Sequence, residues 1–92
     1  MRITAELSLY PLHDDPIAAI LSFIDGLDEN ADLQMTVNQL STQICGELEQ
    51  VMRCVHAALQ RSFSPGSPQV LVAKFLNSDL PICEPPDLDS AR

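Results

Sequence analysis

Hydrophobic and polar residues alternate from Ile3 to Tyr10. Ile3, Ala5, Leu7 and Leu9 fall on one side and Thr4, Glu6, Ser8 and Tyr10 on the other, the period of two that marks a half-buried strand. Pro11 removes a ladder donor and predicts the end of that strand. The period then changes. Ile17, Ile20, Leu21, Ile24 and Leu27 recur at three- and four-residue steps, which predicts an amphipathic helix. Its start is written in His13-Asp14-Asp15-Pro16: Asp15 can accept the unpaired N–H groups of the first turn, and Pro16 suits the first helical position. Gly26 and the polar stretch Asp28-Glu29-Asn30 close it. Alternation returns over residues 32–38, with Leu33, Met35 and Val37 against Gln34, Thr36 and Asn38. A turn near Asn38-Gln39 then leads into a third strand, Leu40 to Cys45, and Gly46 frees the backbone for a sharp exit. Glu47 suits a helix N-terminus. Leu48, Val51, Met52, Val55 and Leu59 form the expected buried stripe of a second helix, Ser62 to Pro68 a loop, and Val70 to Leu76 a fourth strand.

The order strand, helix, strand, strand, helix, strand predicts an α+β domain of ferredoxin-like βαββαβ type, a four-stranded antiparallel sheet with both helices on one face. Strands one and three are expected side by side in the centre. The apolar alternate residues should meet the helices. The other face then carries Thr4, Glu6, Ser8, Tyr10, Gln34, Thr36 and Asn38, with Lys74 from the fourth strand. The pattern dissolves after Leu76, so residues 1–76 are expected to be the domain and residues 77–92, with Pro81, Pro85 and Pro86, an extended or mobile acidic tail.

The chain has 92 residues. A domain this small buries only about 60% of the surface its unfolded chain exposes, so a shared face between copies is a natural source of extra stability. Its aromatic content of 4% argues against a base-stacking platform, and its formal charge of −8 argues against nucleic acid and anionic membranes. A small cation is mildly favoured. No run approaches the roughly 20 apolar residues that span a bilayer, and the start Met1-Arg2-Ile3-Thr4-Ala5-Glu6 has no secretory pattern. Cys45, Cys54 and Cys83 show no pairing pattern and are expected to be reduced thiols of a cytoplasmic protein.

Catalytic chemistry finds little support. His13 and His56 are the two imidazoles, and His56 is expected on the flank of the second helix. Asp14 and Asp15 are better helix caps than metal ligands. No Cys-x-x-Cys, Gly-rich phosphate loop or nucleophile motif is present. The residues therefore predict no enzyme, no metal and no bound cofactor.

Two stretches carry a resemblance. Leu7-Ser8-Leu9-Tyr10-Pro11-Leu12, followed by Asp14, Asp15, Ile17 and Ile20, is similar to the opening of a repeat in the YkoF-like thiamine/hydroxymethylpyrimidine-binding family, where a Ser/Ala-Leu-Tyr-Pro-Met segment runs into a helix. Leu40-Ser41-Thr42 with Gly46, Glu49, Val51 and Met52 resembles the strand-to-helix passage of the same repeat and of the related single-domain thiamine-binding proteins. The resemblance covers residues 1–76. It implies non-catalytic binding of thiamine or its hydroxymethylpyrimidine half. In the YkoF type two repeats share one chain; here there is one, which implies a homodimer or homotetramer.

The residue types suit such a ligand. An aminopyrimidine offers ring-nitrogen acceptors and an exocyclic amine. Ser8, Ser41 and Thr42 hydroxyls can donate or accept, and Asn38 can do both. Glu6 can accept from the amine or offset a thiazolium charge, and Tyr10 offers an aromatic face. Each also has a plainer reading. Ser41 and Thr42 can satisfy turn and strand backbone, Tyr10 can be a rim residue, and Glu6 can pair with Arg2 or Lys74. Strands one and three are expected to be parallel neighbours, which puts Ser8, near the end of one, far from Ser41, at the start of the other, at about 3.3 Å per residue. The site would then have two separate ends, or a neighbouring subunit would complete it. The rival to ligand binding is a small regulatory or assembly module whose sheet serves only for association.

Overall fold

A computed structural model describes residues 1–12, 15–28, 33–64 and 66–91. Strand β1 (Arg2–Pro11) leads to helix α1 (Pro16–Asp28), strands β2 (Gln34–Val37) and β3 (Thr42–Glu47), helix α2 (Leu48–Phe63), strand β4 (Gln69–Leu76) and a short terminal helix α3 (Leu88–Ala91). The sheet order is β2-β3-β1-β4, and every neighbouring pair is antiparallel. This is the ferredoxin-like arrangement, with β1 and β3 in the centre. The expectation that β1 and β3 run parallel is corrected: the crossover through α1 brings β2 back in the same direction as β1, and the single reversal at the β2–β3 turn then sets β3 antiparallel to both, with Arg2 opposite Glu47 and Leu7 opposite Thr42.

The core lies between the sheet and the two helices. Ile3, Ala5 and Leu7 of β1 and Ile44 of β3 meet Phe23 and Leu27 of α1 and Val51, Cys54, Val55 and Ala58 of α2. The two helices are tied at Leu27, whose carbonyl accepts from Cys54 Sγ. The buried faces are rotated from the expected stripes. On α1, Ile17 is 69% and Leu21 55% exposed. On α2, Leu48 and Met52 are exposed, while Cys54, Ala58 and Ser62 take inward positions. Small residues win there because two helices must share one narrow four-stranded layer, and close approach favours Ala58 beside Gly26 over long side chains.

Several boundaries move. β1 continues through Pro11, and β3 runs from Thr42 to Glu47 rather than from Leu40 to Cys45, leaving Leu40 and Ser41 in the turn. Gly46 is a buried strand residue opposite Ile3 and not a hinge; among the described residues the positive-φ glycine is Gly66, at the end of α2. Glu47 caps α2 by backbone geometry alone, since its carboxylate lies 3.1 Å from the chain's amino terminus. α2 extends through Phe63, into the expected loop. The sequence assignments at His13, Asp14, Glu29, Asn30, Asp32 and Pro65 lie outside the described residues.

The stretch after Leu76 departs most from its reading as an extended or mobile tail. It turns back and crosses the uncovered sheet face from β1 towards β2. Thr4 Oγ1 donates to the Ser78 carbonyl at 2.8 Å and accepts from Leu80 N at 3.0 Å. Cys45 Sγ donates to Asp79 Oδ1 at 2.6 Å, and Arg2 Nε reaches Asp79 Oδ2 at 2.9 Å. Thr36 Oγ1 donates to the Ile82 carbonyl at 3.0 Å. We call residues 78–83 the strap.

Candidate functional site

The antiparallel register decides the site. Leu7 pairs with Thr42, so Ser8, which follows Leu7, comes opposite Ser41, which precedes Thr42. The distance problem posed by parallel strands is removed, and no second subunit is needed to unite the two segments. Ser41 Oγ donates to Glu6 Oε2 at 3.1 Å, and Ser8 Oγ donates to the Leu40 carbonyl at 3.3 Å. Glu6 also pairs with Lys74 Nζ at 3.4 Å from the neighbouring strand. Of its two expected ion-pair partners Glu6 therefore has Lys74, while Arg2 is held by Asp79 at the other end of the sheet.

Beside these residues opens a cleft of about 500 Å³, inside the roughly 300–1,000 Å³ range of small-molecule sites. One wall is the end of β1 with Leu12. A second is α1, through Pro16, Ile20, Phe23 and Ile24. The third is the β2–β3 turn, Val37 to Thr42. The turn is closed by the Asn38 N–H on the Ser41 carbonyl at 2.8 Å. Where the turn departs, β3 no longer accompanies β1. From Ser8 to Pro11 β1 pairs with β4 alone, so its main chain borders the cleft as an unpaired strand edge, a hydrogen-bonding rail for a planar ligand.

Five of the six candidate residues, Ser8, Tyr10, Asn38, Ser41 and Thr42, line this one cleft. Glu6 does not; it stands one row inward, behind Ser41. Thr42 is buried on the helix-facing side at 5% exposure, opposite in direction to Ser41 because successive strand residues alternate. Tyr10 is half exposed at the rim, as its plainer reading also had it. The sequence reading missed the apolar walls. Ile20 and Ile24 were assigned to the core stripe, yet they remain only half buried and face the cleft. Leu40, 89% exposed at the lip, is the signal that could have been read: a large aliphatic residue in a polar turn.

The arrangement can hold a flat ring between aliphatic walls and meet its edge with hydroxyls, an amide and a strand edge. Among the described residues that line it there is no acid–base pair. His56 lies exposed on the outer side of α2, and among the described residues no three His, Cys, Asp or Glu side chains converge as metal ligands.

The strap end of the sheet carries the perturbed acidities. The Asp79 carboxyl is held below its usual value by the hydrogen bond from Cys45 and then by Arg2. The Cys45 thiol is pushed up, by burial first and by its bond to Asp79 next. Both shifts keep the pair in the form that closes the strap, a thiol donating to a carboxylate.

No family model matches the chain, and no curated protein matches it in sequence. Solved structures do. Protein SP2199 from Streptococcus pneumoniae superposes with a TM-score of 0.78 at 24% identity, over 99% of this chain and 97% of that one. A "putative thiamine biosynthesis/salvage protein" (TM0486) from Thermotoga maritima gives 0.74 at 15% identity, over 98% and 95%. A domain of unknown function, DUF77, from Bacillus cereus gives 0.71 at 18% identity, over 86% and 78%. At these identities the likeness establishes the ferredoxin-like fold. No helix is long and apolar enough to cross a membrane among the described residues.

Proposed function

We propose that this chain binds thiamine or its hydroxymethylpyrimidine half without transforming it, as a cytoplasmic carrier or sensor in thiamine uptake or salvage. The observation that carries the reading is the convergence of Ser8, Asn38, Ser41 and Thr42 on one cleft with aliphatic walls. The aminopyrimidine ring lies between those walls, its edge bonded to hydroxyls and to the β1 rail. The fold shared with the Thermotoga maritima protein supports a thiamine-related role weakly, and the YkoF-like motifs add to it. In this reading no cofactor takes part and the chain is a binder and not an enzyme, supported by the lack of a general base among the described residues that line the cleft.

A ligand of roughly 18 non-hydrogen atoms at about 0.4 kcal/mol each would bind with a dissociation constant of several micromolar. Calorimetry with thiamine and with hydroxymethylpyrimidine tests this. Heat of binding and a raised melting temperature are expected; neither, at millimolar ligand, would sink the reading.

The uncovered sheet face favours an accompanying association. Val70, Val72 and Leu76 of β4 are each close to half exposed on it, and β4 is an edge strand. A homodimer or homotetramer follows from covering them. If the chain were an assembly module alone, its melting temperature would rise with protein concentration but ignore both compounds. Ser41→Ala separates the two readings, because loss of ligand binding with the oligomer intact supports the first.

A further inference from the structure

The cleft borders the start of a helix, where phosphate groups are commonly held, and the structure shows this position to be already used. Pro16, the first residue of α1, lines the cleft and has no N–H to offer. The carboxylate of the preceding Asp15 accepts the Ala18 N–H at 3.3 Å, so an anion arriving here meets a negative group on the donor it would need. No described residue lining the cleft carries a charge. The described basic side chains stand elsewhere. Arg2 is tied to Asp79 at the strap, Arg53 borders a groove on α2, and Arg61 packs near Gly26. Lys74 is nearest, but Glu6 lies between it and Ser41 and bonds both. The whole chain carries a formal charge of −8, which adds long-range repulsion.

We propose that the cleft selects the unphosphorylated form of its ligand and rejects the phosphate esters of the same compound. This rests on the heterocycle-binding reading above and specifies which chemical form the site takes. A protein with this selectivity acts before a kinase or after a phosphatase. It holds the free alcohol and leaves the dianion to other proteins. Asp15 is the specificity-determining residue, since its charge guards the helix start without touching the ring.

The test is calorimetry with thiamine, thiamine monophosphate, hydroxymethylpyrimidine and hydroxymethylpyrimidine phosphate, at low ionic strength and at about 0.5 M salt. The esters are expected to bind at least about tenfold more weakly than the free alcohols, with the gap narrowing in salt. Asp15→Asn keeps a capping side chain and removes the charge; it is expected to tighten ester binding about threefold and leave the free alcohols unchanged. Esters that bind as tightly as the alcohols, or tighter, overturn the selectivity while the heterocycle reading stands. Failure of all four compounds to bind overturns both.

Discussion

The uncovered face of the sheet has two ends made from the same kinds of residue and put to opposite use. At the strap end, Thr4 gives and receives hydrogen bonds of 2.8 and 3.0 Å, and Thr36 gives one of 3.0 Å, all to the backbone of the chain's own C-terminal segment. At the cleft end, Ser41 and Ser8 make longer bonds of 3.1 and 3.3 Å. Hydroxyl bonds of ordinary strength lie near 2.7–2.8 Å, so the Ser8 bond at 3.3 Å is weak and open to exchange, while Ser41 is held by a side chain and not by the chain's own backbone. Hydroxyls at alternate strand positions are neither structural nor functional in themselves. What covers them decides which they become.

Breaking the strap end should cost the most. Thr4→Val removes the hydroxyl that satisfies both Ser78 and Leu80, and a loss of about 2 kcal/mol in urea unfolding is expected. Ser8→Ala at the other end should stay within about 0.5 kcal/mol of the parent. Equal losses at the two positions would abolish the distinction.

Ligand affinity should invert that order. Ser8→Ala and Ser41→Ala are each expected to weaken thiamine or hydroxymethylpyrimidine binding by about 1 kcal/mol, roughly fivefold. A strap substitution such as Asp79→Asn should leave calorimetric affinity unchanged.

A smaller effect follows from pH. Asp79 has its folded-state pKa held below the ordinary value, so its contribution is complete above the ordinary carboxylate value of about 4 and is lost as pH falls below it, through the folded value. Acid melting curves of the parent and of Asp79→Asn should therefore differ above about pH 4 and converge below it. Persistent separation in strong acid would mean that the strap is held by something else.

Thiol access gives the finest discrimination. Cys83 is exposed, whereas Cys45 is buried beneath the strap with its thiol pKa pushed up by that burial. Mass spectrometry after brief alkylation should find Cys83 modified and Cys45 spared. Asp79→Ala, which removes the carboxylate that Cys45 bonds, should speed labelling at Cys45.

The legibility of the sequence was uneven for identifiable reasons. β1, α1 and β4 are long and strongly periodic, and each was readable to within about two residues. β3 was displaced because Leu40 looks like a strand residue although it projects from a turn. The buried stripes were misjudged at Ile17, Leu21, Leu48 and Met52, because periodicity reports which residues are apolar but not how much surface a narrow sheet can cover. Ser8 and Ser41 were identifiable as hydroxyls flanking apolar runs, but the separation between them depended on strand direction, which neither segment encodes alone.

Alternation, helix-start chemistry and element order were enough to determine the ferredoxin-like βαββαβ domain, because those signals are local and repeat along the chain. The antiparallel union of Ser8 with Ser41, the aliphatic wall supplied by α1, and the seating of residues 78–83 on Thr4, Cys45 and Thr36 belong to the tertiary structure. The first and the last join segments more than 30 positions apart in the chain, and all three follow from which surfaces remain once the core has closed.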